Sequence, residues 1–234
     1  MRINKYLSKA NYCSRRKADN LIKQGKVLIN GEVCDLGDEI KKEDIVLVNG
    51  EIIEITENNE YILFNKPIGV AVTTAKHDSS NIIDYIDYDK RIFPVGRLDK
   101  DSEGLILLTN DGEIVNKILK SKNNHEKEYI VKVDKKINKD FLDEIQGNVK
   151  LEVGITKKSK VQMIDDYSFK IILTQGLNRQ IRRMCKKLGY NVVQLKRIRI
   201  INLKLNDLEI GNYRKASKSE LKDLFKIIGY SKNI

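Results

Sequence analysis

The sequence of 234 residues is 41% hydrophobic and 33% charged, which suits a folded protein with one medium-sized domain and a small module. No apolar run approaches the roughly 18 residues that span a bilayer, and the first residues lack an apolar signal core, so we expect a cytoplasmic protein that binds no membrane. The three cysteines and two histidines are not spaced as metal ligands or as a disulfide framework. The composition therefore argues against a bound metal and predicts reduced, partly buried thiols.

The net charge of +11 and the pI of about 9.4 favour a polyanionic partner. The basic residues fall in two blocks, with eight lysines and arginines against one acid in residues 1–31 and 25 against 12 in residues 127–234. The segment between these blocks is net acidic. This distribution predicts two separate basic surfaces that bind one nucleic acid.

The first predicted elements are two short helices followed by short strands. Apolar residues recur at helical spacing in residues 3–10 and 18–22, with Ser14 placed to cap the second helix and Gly25 to end it. A strand at residues 27–29 then turns at Asn30-Gly31, and two further strands form a hairpin across Asn49-Gly50.

Basic side chains cluster near the beginnings of these two helices, where the helix dipole also favours phosphate: Arg2, Lys5, Arg15, Arg16 and Lys17. The segments Arg2-Ile3-Asn4-Lys5, Ser14-Arg15-Arg16-Lys17 and Gly25-Lys26-Val27 resemble the S4 RNA-binding domain. The resemblance implies that residues 1–57 form an RNA-binding module and that these basic side chains face the RNA backbone. The apolar-free segment 56–60 is the predicted linker.

The second domain is predicted to span residues 58–234 and to open with a strand from Tyr61 that is interrupted by Pro67. A short helix is expected at residues 80–86. The His77-Asp78 pair before it is interpreted as a solvated loop rather than a proton relay.

A tight charged loop, Gly96-Arg97-Leu98-Asp99-Lys100-Asp101-Ser102-Glu103-Gly104, separates two apolar runs that are short enough to be buried strands. The bracketing glycines allow backbone angles that other residues resist, so Asp99 can be aimed outward from a packed sheet. The stretch resembles the Gly-Arg-Leu-Asp motif of pseudouridine synthases of the RsuA/RluB/RluE/RluF family. In that family the aspartate is the catalytic residue, which implies the same role for Asp99. The earlier Asn65-Lys66-Pro67 resembles a second family motif that supports the loop.

Helices and strands alternate irregularly through the rest of the chain. Helices are predicted after Asn110 and Asn138, each of which can cap one, and strands near residues 126–133, 149–155, 158–163, 169–174 and 192–201. A final amphipathic helix is expected at residues 217–228. With the resemblance, this order predicts an α+β protein in which a small S4-like module precedes a catalytic domain with a mixed, mainly antiparallel sheet flanked by helices.

A basic helix is predicted from Asn178, as its cap, to Gly189, with apolar residues on one side and five bases elsewhere: Arg179, Arg182, Arg183, Lys186 and Lys187. The following strand is expected to extend this basic surface through Lys196, Arg197 and Arg199. The resemblance assigns Arg182 as the cation that keeps Asp99 ionised. It also implies that Tyr129 stacks on the target base, that Ile181 packs beside that ring, and that Arg97 occupies the vacated position in the RNA or holds a phosphate.

The chain is similar to the RluF-type members of this family over nearly its whole length, including the run Asn124-His125-Glu126-Lys127-Glu128-Tyr129. The resemblance implies a monomeric enzyme that isomerises uridine in ribosomal RNA, with 23S rRNA as the expected substrate. The reaction needs no cofactor because no redox change occurs and no outside group is added. Two alternatives remain open, a synthase that acts on transfer RNA and an inactive RNA-binding or ribosome-assembly protein. The route, by attack of Asp99 or through a glycal, also remains open.

Overall fold

The chain forms two units whose buried hydrophobic cores share no residue. The computed structural model describes residues 1–55, 59–74, 80–120 and 123–231, so part of the predicted linker and the His77-Asp78 pair lie outside the described residues. One unit comprises Met1–Asn59 with Asn110–Gly112, and the other comprises Glu60–Thr109 with Glu113–Ile234. No helix among the described residues is long and apolar enough to cross a membrane.

The N-terminal unit has the predicted order of two helices followed by strands. Its elements are α1 (Ile3–Lys9), α2 (Arg15–Lys23), β1 (Val27–Ile29), β2 (Glu32–Val33), β3 (Val46–Val48) and β4 (Glu51–Ile52). As expected, the Ser14 side chain caps α2 by accepting a hydrogen bond from the backbone N–H of Lys17 at 3.2 Å, and Gly25 follows the helix with φ +66°. The four strands form an antiparallel sheet in the order β2-β1-β3-β4.

The second unit is built on a nine-stranded sheet. Its strands are β5 (Tyr61–Lys66), β6 (Phe93–Pro94), β7 (Glu103–Thr109), β8 (Lys127–Val133), β11 (Lys160–Asp165), β12 (Ser168–Leu173), β13 (Val192–Ile200), β14 (Leu203–Lys204) and β15 (Tyr213–Lys215). The strand order is β11-β12-β8-β13-β7-β5-β15, with β14 beside β13 and β6 beside β7. Among these pairings, only that of β13 with β7 is parallel, which confirms the predicted mixed, mainly antiparallel sheet.

Among the described residues, five helices cover this sheet: α3 (Ile82–Ile86), α4 (Gly112–Leu119), α5 (Lys139–Gln146), α6 (Gln180–Lys187) and α7 (Lys218–Ile228). The central strands β5 and β7 are buried on both faces, with Leu63 and Leu107 in the core that includes α4 and α7, and Phe64 and Ile106 in the core that includes α3. A third core joins β8, β12 and β13 to α5 and α6. Burial on both faces explains why β5 and β7 are continuous apolar runs in the sequence.

Several element boundaries differ from the predictions. The predicted strand near residues 149–155 is a separate hairpin of β9 (Lys150–Leu151) and β10 (Gly154–Ile155). The late basic helix, α6, begins one residue later than predicted, because its N-cap position is Arg179 in a left-handed conformation and carries no side-chain cap. Asn178 instead accepts hydrogen bonds from the side chain of Arg183. The predicted Asn178 cap is therefore wrong.

Candidate active site

A cavity of about 630 Å³ opens in the second unit, in the range typical of small-ligand sites. Its walls come from the segment between β6 and β7, from β8 and β13, and from the segment that joins β12 to α6. Six of its lining side chains carry charge or can titrate: Arg97, Asp99, Lys127, Tyr129, Arg179 and Arg197. The cavity therefore holds one carboxylate among four cations and a phenol.

Asp99 lies on a loop that is fastened at several points. Leu98 is buried in the core beneath it, and the backbone N–H of Ser102 donates to the Asp99 carbonyl at 3.0 Å. The backbone N–H of Gly69 donates to the carbonyl of Lys100 at 2.8 Å, which fixes the loop to the turn after Pro67. The Asp99 side chain remains 31% exposed. A rigid loop thus presents a carboxylate that is open to a ligand.

Gly104 lets the loop enter β7 while that strand lies close against β13. Its φ is +105°, and a Cβ added there would lie 2.3 Å from the carbonyl oxygen of Arg197 and 2.7 Å from its nitrogen. Gly104 and Arg197 are register partners in the parallel pairing. The glycine is required both by its backbone angle and by this backbone approach.

Arg179 is the cation nearest to the Asp99 carboxylate in the described ion pairs, with Nη1 3.8 Å from Oδ2. It also holds Asp101 in a two-pronged contact, from Nη1 to Oδ1 at 3.1 Å and from Nη2 to Oδ2 at 2.7 Å. The hydrogen bonds from the Arg179 guanidinium hold the pKa of the Asp101 carboxyl below its usual range, and Arg182 adds to the effect.

Arg182, which the resemblance assigns to Asp99, makes its ion pair elsewhere. Its Nε lies 3.3 Å from Oδ2 of Asp101, and its Nη2 donates to the Asp101 carbonyl at 2.7 Å and to the Ser102 hydroxyl at 3.3 Å. Its Nη1 donates to the carbonyl of Val192 at 3.2 Å. Arg182 is thus a clamp on the backbone of the acidic loop, and Arg179 stands where the sequence analysis expected Arg182.

Tyr129 and Ile181 both line the cavity. Tyr129 lies on β8, opposite Arg197 of β13 and Ile171 of β12, and packs at the edge of two hydrophobic cores. Ile181 is in the first turn of α6 and is buried. Sequence reasoning missed Lys127, although it precedes Tyr129 by two residues on the same strand and therefore shares its face.

Two further cations lie inside the protein. The ammonium of the fully buried Lys66 donates to the carbonyls of Pro67 at 2.8 Å and Val70 at 2.9 Å. Arg197, which is 3% exposed, donates from Nε to the carbonyl of Leu105 at 2.7 Å. Burial lowers the pKa of Lys66 to about 8, although the carboxylates of Asp101, Asp99 and Glu103 oppose this effect. Lys66 thus neutralises part of the acidic loop from within the protein.

Two protein-family models match the chain. Residues 60–187 match the family model described as RNA pseudouridylate synthase, and residues 1–46 match the S4 domain. The chain belongs to the RNA pseudouridylate synthase family. It is 48% identical, over 97% of its length and 79% of the relative, to the dual-specificity RNA pseudouridine synthase RluF of Escherichia coli strain K12. It is also 36% identical to the ribosomal large subunit pseudouridine synthase B of Bacillus subtilis, over 99% of this chain and 98% of that one.

A solved structure described as a pseudouridylate synthase matches 96% of the chain and 99% of its own length, with 31% identity and a TM-score of 0.70. The predicted fold class and the predicted family are therefore confirmed. The protein is a pseudouridine synthase, an isomerase that acts on RNA.

The remaining predicted RNA contacts of the synthase lie outside the cavity lining: Arg183, Lys186 and Lys187 on α6, and Arg2, Lys5, Arg15, Arg16 and Lys17 in the N-terminal unit. All are exposed except Arg183, which is half-buried and pairs with Glu152 at 3.4 Å. The expected extension of the basic surface along β13 is wrong for two residues. Arg197 is buried, and Arg199 is 16% exposed and pairs with Glu126 and Glu128.

The synthase shows no group of three or more potential metal ligands among its described residues. The three cysteines are buried, and burial raises the pKa of Cys185 to about 12, so its thiol stays protonated at physiological pH. The described residues that line the cavity offer a carboxylate, a phenol and four cations for chemistry.

Proposed function

We propose that this synthase converts specific uridines of ribosomal RNA to pseudouridine, with Asp99 as the catalytic carboxylate. The observation that carries the proposal is the position of Asp99, partly exposed in a nucleotide-sized cavity, with Arg179 3.8 Å from its carboxylate. An ionised carboxylate in a pocket needs a nearby cation to offset its desolvation. The cavity offers that cation in Arg179.

The reaction breaks the bond from C1′ to N1, turns the uracil over, and joins C1′ to C5. The electron pair of the broken bond leaves with the ring. In one route C1′ is held as an ester of Asp99 until C5 attacks it, and in the other Asp99 takes a proton from C2′ and returns it before C5 attacks C1′. The C5 proton is then lost and N1 gains one, so atoms and electrons balance without a cofactor. Asp99 can serve either route from its place in the cavity.

The target uridine must leave its stack to enter the cavity, which costs a few kcal/mol. We propose that Tyr129 stacks on the extruded base, that Ile181 packs beside it, and that Arg97 at the loop replaces the base in the RNA or holds a phosphate. Arg182 is proposed to act through the loop, by fixing the backbone at Asp101. The bases of α6 and of residues 1–57 would hold flanking phosphates, so affinity should fall steeply with salt.

The large ribosomal RNA is the proposed substrate, and the naming of the Bacillus subtilis relative for the ribosomal large subunit supports it. We propose that the protein acts as a cytoplasmic monomer, with residues 1–57 as an S4 module and residues 58–234 as the catalytic domain. Transfer RNA is a second candidate substrate, because the Escherichia coli relative is named for dual specificity. Mapping pseudouridines in the RNA of cells with and without the gene distinguishes 23S rRNA, transfer RNA and an inactive RNA-binding protein.

Substitution Asp99→Asn tests the role of the carboxylate. The amide is nearly the same size but cannot attack C1′ or accept the sugar proton, so we expect the variant to fold and bind RNA while forming no detectable pseudouridine. The matched control is Asp143→Asn, an exposed acid on α5, which should keep wild-type turnover. Turnover by the Asp99 variant near the wild-type rate would remove Asp99 from the mechanism.

A further inference from the structure

The cavity contains a lysine to which neither the sequence analysis nor the proposed mechanism gives a role. Lys127 lines the wall beside Tyr129 and is half-buried. In the part of the chain that the structure describes, its ammonium makes no hydrogen bond or ion pair with a protein group. Because the ammonium of this half-buried side chain has no acceptor from the protein, a ligand in the cavity can supply one.

The other cations of the cavity are engaged or lie at a more exposed place. Arg179 is held by Asp101. The Arg197 guanidinium donates from Nε and Nη1 to the carbonyls of Leu105 and Arg97, and its buried Nη2 has no hydrogen-bond partner among the described residues. Arg97 itself is exposed, as suits a contact with the RNA backbone outside the cavity. Lys127 is therefore a half-buried cation of the cavity wall whose ammonium, in the described part of the chain, keeps all of its donors for a ligand.

The strand geometry places Lys127 suitably for that role. Residues two apart on a strand share a face and lie roughly 6.6 Å apart along it, about the width of a pyrimidine ring with its oxygens. If the uracil stacks on Tyr129, its carbonyl edge comes within reach of a lysine two residues away. Leu173 and Ile200, the register partners of Lys127, supply apolar neighbours that strengthen such a contact.

We propose that Lys127 is a further substrate-contacting residue, whose ammonium donates a hydrogen bond to a carbonyl oxygen of the uracil and stabilises the negative charge that the ring carries once the C1′–N1 bond has broken. This inference rests on the proposed function. Its role differs from that of Asp99, because Lys127 forms no bond with the sugar. The Lys127 ammonium is needed most while the base is detached. Its loss should therefore lower the rate of the chemical step more than it lowers the affinity for RNA.

The test compares Lys127→Met, Lys127→Arg and the wild type in single-turnover reactions with total RNA labelled with tritium at C5 of uridine, from cells that lack the gene. Tritium reaches water only when C5 loses its hydrogen. We expect Lys127→Met to lower the saturated rate about 100-fold while the apparent Kd for the same RNA changes less than about twofold. Lys132→Met, an exposed lysine on the same strand, is the matched control and should keep the wild-type rate.

The pH profile gives a readout that a merely structural role would not change. Burial, with the Arg197 guanidinium nearby, lowers the pKa of Lys127, so the wild-type rate should decline at alkaline pH as the ammonium loses its proton. The other titratable and charged groups of the cavity, Arg97, Asp99, Tyr129, Arg179 and Arg197, are the same in Lys127→Arg. Because arginine keeps its charge, this variant should retain activity within about tenfold. Its rate should also lack the decline at alkaline pH that deprotonation of Lys127 causes in the wild type.

Each other outcome overturns the proposal in a distinct way. Lys127 would instead be a phosphate contact if Lys127→Met had a higher apparent Kd, a slope of log affinity against log salt smaller by about one, and an unchanged saturated rate. Wild-type behaviour of Lys127→Met would show that the residue has no role. If Lys127→Met fails to fold, Lys127→Arg decides, and a pH profile identical to the wild type refutes the proposal. Absence of tritium release by the wild type would instead refute the proposed function itself, and this inference with it.

Discussion

Lys66 shows how a single residue can tie the stability of the site to pH. It is fully buried at the end of β5, in register with Gly104, and donates to the carbonyls of Pro67 and Val70. Carboxylates of the acidic loop, Asp99, Asp101 and Glu103, raise the pKa of its ammonium, but burial outweighs them and lowers it to about 8. Burial of the charged lysine therefore lowers the free energy of unfolding, and this penalty disappears when the lysine is neutral.

We predict that the wild type becomes more stable relative to Lys66→Met as pH rises from 7 to 9.5. In this window the unfolded chain binds a proton on Lys66 that the folded protein increasingly lacks, so the free energy of unfolding increases with pH, by about 2 kcal/mol for a pKa lowered from 10.5 to about 8. Denaturant unfolding of both proteins at both pH values measures this change in the free energy of unfolding. The exposed-site control Lys132→Met should show no such pH-dependent difference, and an equal stability change in wild type and Lys66→Met would contradict the prediction.

The contacts of two arginines at the start of α6 could not be predicted from the sequence. The motif resemblance selects Arg182 as the partner of Asp99, whereas the structure brings Arg179 to within 3.8 Å of that carboxylate and directs Arg182 to Asp101 and Ser102. Both arginines contact Asp101 of the same loop. The choice depends on the left-handed backbone of Arg179, with φ +50°, which no sequence pattern indicates for an arginine.

At the scale of elements, the position of Asp99 depends on the close pairing of β7 with β13. This pairing is parallel and is limited to Lys196 with Glu103 and Arg197 with Gly104. Gly104 is at once the last residue of the charged motif and a position where a Cβ would lie 2.3 Å from the carbonyl oxygen of Arg197. The same residue therefore links the site to the sheet.

We predict that Gly104→Ala destabilises the protein by at least about 3 kcal/mol, because alanine disfavours φ +105° and its Cβ would contact the Arg197 backbone at 2.3 Å. The free energy of unfolding from denaturant titration measures the effect. The matched control is Gly176→Ala, where φ is not positive and a Cβ would meet nothing within 4 Å. The control should change stability by less than about 0.5 kcal/mol. A loss below 1 kcal/mol in Gly104→Ala would show that the sheet relaxes around the new methyl group.

Elements with a strong local signal were predictable, and those that depend on distant pairing were not. The buried runs of β5 and β7 follow from apolar spacing, and the helices α2 and α5 follow from Ser14 and Asn138 as caps. The helix α7 follows from the amphipathic spacing of residues 217–228. The strand β15 was missed because Tyr213–Lys215 is short and polar and is defined by its pairing with β5. Likewise, the burial of Arg197 follows from its place beside Gly104, which the basic pattern of β13 does not reveal.

At the scale of the whole molecule, the sequence divides into regions that also have separate cores. The buried cluster of the N-terminal unit draws only on residues 3–48, and those of the second unit only on residues 61–228. The S4 match and the synthase match fall on the same two regions. The two basic blocks therefore belong to different units, and each can contribute its own phosphate contacts.

We predict that a chain lacking residues 1–57 keeps the catalytic fold and its saturated single-turnover rate within about threefold, because the cores of the second unit need none of the removed residues. RNA affinity should fall, and the slope of log affinity against log salt should decrease by about 2 to 4, since several phosphate contacts are lost. In the full chain, replacing the exposed Arg15, Arg16 and Lys17 with glutamine should reproduce much of this loss, whereas replacing Lys41 and Lys42 should not. Filter binding across a salt series measures both effects, and an unchanged slope would assign RNA binding to the second unit alone.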